Sequence, residues 1–131
     1  MPCCVFHARG DNFDVDAFIR KSTFRPYRAH YKGLKGRRGI NSDSGFSLDV
    51  SDSYDTLEPQ ISDAIDFLQK NTSEFERLRD YPGVTDMRLD FGFNRRPVVA
   101  QFEYLSPEIL NLAGNLGIGI ELSIYSTTEN N

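Results

Sequence analysis

Eight of the chain's fifteen lysines and arginines fall within the nineteen residues from Arg20 to Arg38, a stretch that holds no Asp or Glu. The remaining 112 residues set seven bases against nineteen acids, although the whole chain is only −4. Charge segregated on this scale speaks to association rather than fold, because summed charge steers partners. Arg28, His30 and Lys32 project from one side of an alternating run, and Lys35, Arg37 and Arg38 follow on a loop. These six are the candidate partner-binding residues, facing either an acidic protein surface or a phosphate backbone. Phe24, Tyr27 and Tyr31 are interleaved with them, a combination that can stack bases while neutralising phosphate. The alternation, however, sends the two tyrosines to the side opposite the charges, which favours a protein partner over nucleic acid. The bland alternative is a solvated face balanced within the fold by Asp49, Asp52 and Asp55.

Other chemistry-bearing residues are less well assembled. Cys3, Cys4 and His7 carry good zinc donors, but a tetrahedral site needs four converging groups and His30 is the only other histidine. On a strand Cys3 and His7 share one side and Cys4 takes the other, so neither a metal site nor a cysteine nucleophile is expected. Asp11, Asp14 and Asp16 have the spacing of half a calcium loop without its glycine or its distal glutamate; helix capping accounts for them. Gly33, Gly36 and Gly39 punctuate a basic loop that lacks the phosphate-cradling G-x-x-x-x-G-K-[ST] arrangement. Asp86, Asp90, Glu103 and Glu121, beside Arg88 and Gln101, could line the outer face of neighbouring strands. That set gains meaning for acid–base work only on a concave face with one carboxylate of raised pKa. No cofactor fingerprint is present.

The elements that must position these residues can be read from periodicity. Residues 3–9 form a first strand ending at Gly10, and Asp14 caps a short helix with Val15, Phe18 and Ile19 on one face. After Pro26 a strand alternates through Lys32, the glycine loop breaks regular structure, and Phe46, Leu48 and Val50 face one way in a third strand. Asp55 with Glu58, and Ser73 with Glu76, have the spacing of capping boxes for two helices, or one bent helix, over about 56–80. Met87, Leu89, Phe91 and Phe93 alternate as a half-buried strand, and Val98 to Tyr104 is expected to return beside it as a hairpin. Ser106-Pro107-Glu108 opens a helix whose apolar face is Ile109, Leu110, Ala113 and Leu116, and Gly117 ends it. Ile118, Ile120, Leu122 and Ile124 line a last strand, and the polar tail 127–131 is expected to fray.

The order β-α-β-β-α(α)-β-β-α-β predicts an α+β fold, a mainly antiparallel sheet with helices packed on one face. Its first six elements match a ferredoxin-like β-α-β-β-α-β run, with a β-α-β extension behind. At 131 residues the chain is expected to form a single domain, with ten Phe and six Tyr as bulky core material. Adjacent Cys3 and Cys4 have nothing to bridge, so thiols suit a cytosolic protein. No signal peptide is visible and no window reaches transmembrane length, so no membrane partner is expected.

Several stretches resemble a known family. Phe6 followed by Gly10-Asp11-Asn12-Phe13-Asp14, then Pro26 and Lys32-Gly33, are similar to its opening strand, helix and Lys-Gly loop. Ser44-Gly45-Phe46-Ser47-Leu48 resembles its Ser-Gly-aromatic strand, where Trp is more frequent, and Ser106-Pro107-Glu108 with Leu122-Ser123-Ile124-Tyr125 resembles its last helix and strand. The family is the bacterial one catalogued as domain of unknown function 4279; it usually has an acid where Ser123 stands. The resemblance implies the layout above across nearly the whole chain and no activity. Small bacterial α+β proteins of this kind often serve as immunity proteins to secreted toxins, an analogy of fold and size. The expectation is therefore a non-enzymatic cytosolic bacterial protein that binds a protein partner by charge complementarity, in the manner of a toxin-neutralising immunity protein. A nucleic-acid binder using the basic segment 20–38, and an enzyme with a site on the open sheet face, stay open. So does a homodimer through an unpaired edge strand.

Overall fold

The computed structural model describes residues 3–126. Strand β1 (Cys4–Gly10) leads into α1 (Val15–Arg20), then β2 (Arg28–His30), β3 (Lys35–Gly36), β4 (Gly39–Ile40) and β5 (Ser44–Ser51). Helices α2 (Leu57–Lys70) and α3 (Thr72–Arg79), strand β6 (Asp86–Asn94), helix α4 (Pro107–Asn115) and strand β7 (Gly119–Tyr125) complete the order. Five strands form one sheet in the order β2-β5-β1-β6-β7, while β3 and β4 pair only with each other. The β1–β5, β1–β6 and β2–β5 pairs are antiparallel, and β6–β7 is parallel. Thus β5 lies between β1 and β2, and β1 between β5 and β6. These interleaved crossovers are the ferredoxin-like arrangement expected for the first six elements.

Alternation places Phe6, Phe46, Leu48, Leu89 and Phe91 on one sheet face, where they meet Phe18, Leu57, Ile61, Ala64, Leu68, Phe75, Leu78, Ile109 and Ala113 from the helices. The core is largely aromatic: Phe6 meets Phe75 edge-on with centroids 5.0 Å apart, and Phe18 meets Tyr81 likewise at 5.2 Å. Each fully buried Phe contributes roughly 1.5–3 kcal/mol. Asp14 caps α1 as expected, accepting from the Ala17 N–H at 3.1 Å. At the rim, the Arg77 guanidinium lies 4.0 Å from the Phe18 ring centroid and is held by two hydrogen bonds to Glu74.

Several local expectations are corrected. Val98 to Tyr104 is not a strand, because β6 already has β1 on one side and β7 on the other. Instead Gln101 folds back, accepting from the Arg96 N–H at 2.8 Å and donating to the Asn94 carbonyl at 3.2 Å. The extension beyond the ferredoxin-like run is therefore one helix and one parallel strand. Asp55 is no cap: it has φ of 61°, and its carboxylate accepts from the Asn94 N–H and from Arg96. Thr56 occupies the cap position of α2, while Ser73 lies inside α3. Leu110 is 46% exposed and leaves the apolar face of α4, whereas Leu112 packs against the core. Leu122 and Ile124 stay exposed because β7 is an edge strand. The basic loop is regular in part, as the β3–β4 hairpin. The expected fraying of 127–131 lies outside the described residues.

Candidate functional site

The sheet face away from the helices carries the residues of opposite parity to the core. Register lines them up in rows: Arg28 opposes Ser47, Ser47 opposes His7, and His7 opposes Arg88. One step along β6, Asp90 stands beside Glu121. Together with Arg9, His30 and Asp86 these residues line a cleft of about 320 Å³. A second, shallower concavity of about 660 Å³ adjoins it and shares Arg9, Arg28 and His30. Its far wall is the β3–β4 hairpin, with Tyr31, Lys35, Arg37 and Arg38 around it. Gly45 makes the junction between them: a Cβ there would collide with the Ala8 carbonyl and sit 2.8 Å from His30 Cε1. Any side chain at this position would push His30 and Arg9 off the face.

Within the cleft, His7 Nδ1 is 2.8 Å from Ser47 Oγ and its Nε2 is 3.9 Å from Asp90 Oδ2. Burial lowers the pKa of His7. The neutral ring that suits both neighbours carries its proton on Nε2, toward Asp90, and accepts from the Ser47 hydroxyl. Ser123 donates to Asp90 Oδ1 at 2.6 Å. Burial raises the Asp90 pKa, and Glu121 adds to the rise. Arg88 is committed elsewhere, binding Asp86 through two hydrogen bonds (2.9 and 3.1 Å) and Glu121 at 3.2 Å. Ser47, His7 and Asp90 have the order of nucleophile, base and orienting acid. Yet Ser47 is only 5% exposed in the middle of an inner strand, and its carbonyl accepts from the Tyr27 N–H. Acyl transfer needs donors aimed at a developing oxyanion, and the backbone at Ser47 is laddered between β1 and β2. The row is better suited to holding a ligand than to attacking one.

The six sequence-derived candidates divide. Arg28, His30, Lys35, Arg37 and Arg38 all line the wider groove. Lys32 does not; its ammonium pairs with Asp11 at 3.2 Å. His30 is bound to Asp43 at 2.9 Å, and Arg9 lies between Asp43 (3.8 Å) and Asp86 (3.5 Å). The internal balance therefore comes from Asp11 and Asp43, not from Asp49, Asp52 and Asp55. Lys35, Arg37 and Arg38 are exposed and have no carboxylate partner among the described residues. Tyr27 and Tyr31 do not lie opposite the charges: β2 spans only Arg28–His30, the Arg28 guanidinium sits 5.7 Å from the Tyr27 ring centroid, and Tyr31 lines the groove.

Of the outer-face acids, Asp86, Asp90 and Glu121 do converge with Arg88, on a concave face and with one raised carboxylate. Glu103 and Gln101 instead bond to each other at 2.8 Å in the loop before α4. Ser47, Ser123 and Asp43 are not among the candidate site residues read from the sequence, although the strand parity of the two serines places them on this face. Cys4 is buried in the core and Cys3 and His7 stand on the other side; among the described residues no group of three metal-ligating side chains converges. No described helix is long and apolar enough to cross a membrane.

Neither a curated protein nor a solved structure matches the chain. A family model does, over residues 2–127, almost the entire length. The chain belongs to the family described as Domain of unknown function (DUF4279).

Proposed function

We propose that this protein works by binding, and that the wide basic groove between β2 and the β3–β4 hairpin receives an acidic surface of a protein partner. The observation that carries this reading is the set Lys35, Arg37 and Arg38, three exposed cations on one groove wall without a carboxylate of their own among the described residues. Several acids elsewhere among the described residues already face a base, as Asp11, Asp43, Asp55, Asp86 and Glu74 do. Complementary charge of this kind raises association rate and selects the partner, and salt weakens it. The setting we put forward is the bacterial cytosol, with a toxin as the partner neutralised. Small size, an α+β frame and two free thiols support that setting.

One observation favours a second reading. The tyrosines share the surface of the charges, so a single-stranded nucleic acid would find rings and cations together in the groove. A single comparison separates the two. Tagged protein and its Lys35→Glu/Arg37→Glu/Arg38→Glu variant are used to capture partners from their own cells at low salt, with and without nuclease. We expect one stoichiometric protein that survives nuclease, is lost with the variant, and associates with the purified wild type more slowly as salt rises. Capture unaffected by the triple reversal overturns the groove as the docking surface. Recovery of nucleic acid, with protein vanishing on nuclease treatment, overturns the protein partner in favour of the second reading.

A further inference from the structure

The smaller cleft contains two charges of opposite sign that the fold leaves unmatched. Arg28 lies against the Tyr27 ring and has no carboxylate partner among the described residues. Asp90, with a side chain only 21% exposed, has a hydroxyl on one oxygen and a neutral imidazole 3.9 Å from the other. The other arginines of the cleft are already taken, Arg88 by Asp86 and Glu121 and Arg9 by Asp43 and Asp86. A carboxylate removed from water without a cation is unfavourable, and it remains receptive to one.

The separation of the two is set by the sheet. Arg28 and Asp90 are on strands three spacings apart; Ser47 and His7 continue the row of Arg28, which ends at Arg88, and Asp90 stands two residues further along β6, opposite Val5. Three spacings across (about 14 Å) and two residues along (about 7 Å) put the two Cα atoms about 16 Å apart, of which the long arginine side chain and the short aspartate can close roughly half, leaving a gap of about 8–9 Å. A molecule bridging it needs an acceptor for guanidinium at one end and a cationic donor for carboxylate at the other. Two charge-assisted hydrogen bonds of about 2.8 Å and the short span between the ammonium and carboxylate of an α-amino acid fill that distance. The volume of about 320 Å³ leaves room for a side chain.

We propose that the cleft binds a free α-amino acid as its zwitterion, the carboxylate on Arg28 and the ammonium on Asp90, over a floor formed by His7 and Ser47. This goes beyond partner docking in the neighbouring groove and does not depend on it. Asp90, pushed toward its neutral form by burial, recovers its charge when an ammonium arrives, so binding releases a proton wherever Asp90 is protonated and weakens as pH falls through the Asp90 titration. The Tyr27 ring, 5.7 Å from the Arg28 guanidinium, attracts that cation to its side of the cleft.

The test is calorimetric titration of the full chain with each of the twenty free L-amino acids near neutral pH. The strongest binder is then compared with its deaminated acid and its decarboxylated amine. At least one amino acid is expected to bind with a Kd below about 1 mM, and both single-charge analogues at least tenfold more weakly. Arg28→Met and Asp90→Asn should each weaken the amino acid at least tenfold while circular dichroism stays unchanged. Absence of heat with all twenty, or an analogue that binds as well as the amino acid, overturns the proposal. Because the analogue comparison uses the unaltered protein, it decides the matter even if a variant misfolds.

Discussion

Asp90 destabilises the fold that holds it. Burial raises its pKa, and the Ser123 hydrogen bond and the nearby His7 and Arg88 reverse only part of the rise. A carboxyl whose native pKa exceeds its unfolded value binds its proton more readily when folded, so stability is lost as pH rises through that range and the deficit is complete at neutral pH. Asp90→Asn keeps an acceptor for Ser123 and removes the charge. We expect it to raise the unfolding free energy at neutral pH and to change it by almost nothing near pH 3, as read by urea denaturation at both. His7 has the opposite slope. Its native pKa is depressed by burial, so the unfolded chain takes the proton first and stability falls as pH drops below the ordinary histidine value. His7→Asn should flatten that part of the pH profile. Sequence parity alone places His7, Ser47, Arg88 and Asp90 on the solvent face. It does not say that His7 faces Ser47 across forty residues, because register is set by sheet pairing and not by either strand's own pattern.

Strands were legible in the sequence where one face meets the core. The alternations in β1 and β6 are those of half-buried ladders, with Phe6, Leu89 and Phe91 buried, whereas β5 is buried on both faces from Ser44 to Leu48. Val98 to Tyr104 carries as much apolar content and misleads for a physical reason: a strand needs a free edge, and β6 has none. Phe102 is 89% exposed, whereas Phe75 is fully buried. Phe102→Ser should therefore leave stability within about 0.5 kcal/mol of the parent, while Phe75→Ala should cost about 3–5 kcal/mol, both read from denaturant midpoints. A large loss in Phe102→Ser would return the segment to the sheet. The capping boxes failed on a related point. Asp55 has the right spacing, but a distant arginine, Arg96, and the Asn94 N–H compete for its carboxylate. Two-residue strands such as β3 and β4 leave too short a pattern to be read at all.

At the scale of the molecule, one sheet surface is buried under helices and the other is charged, and both edges are left open among the described residues. The β2 edge is bordered by the basic hairpin, which blunts pairing with another sheet through charge. The β7 edge has no such guard: Leu122 and Ile124 are exposed there, and Val99 and Phe102 are exposed in the loop before α4. Leu122→Lys with Ile124→Lys is expected to raise the temperature at which heated samples scatter light, without lowering Tm, since neither side chain is in the core. An unchanged scattering onset would clear this edge of any part in aggregation. The groove has a practical side as well. The chain contains no tryptophan and six tyrosines. Tyr27 lies under the Arg28 guanidinium and Tyr31 lines the groove. Ultraviolet emission is therefore phenolic throughout, and two of its six sources stand where an occupant would land. The protein carries its own optical reporter, and occupancy can be followed by tyrosine fluorescence without a dye, a tag or a substitution.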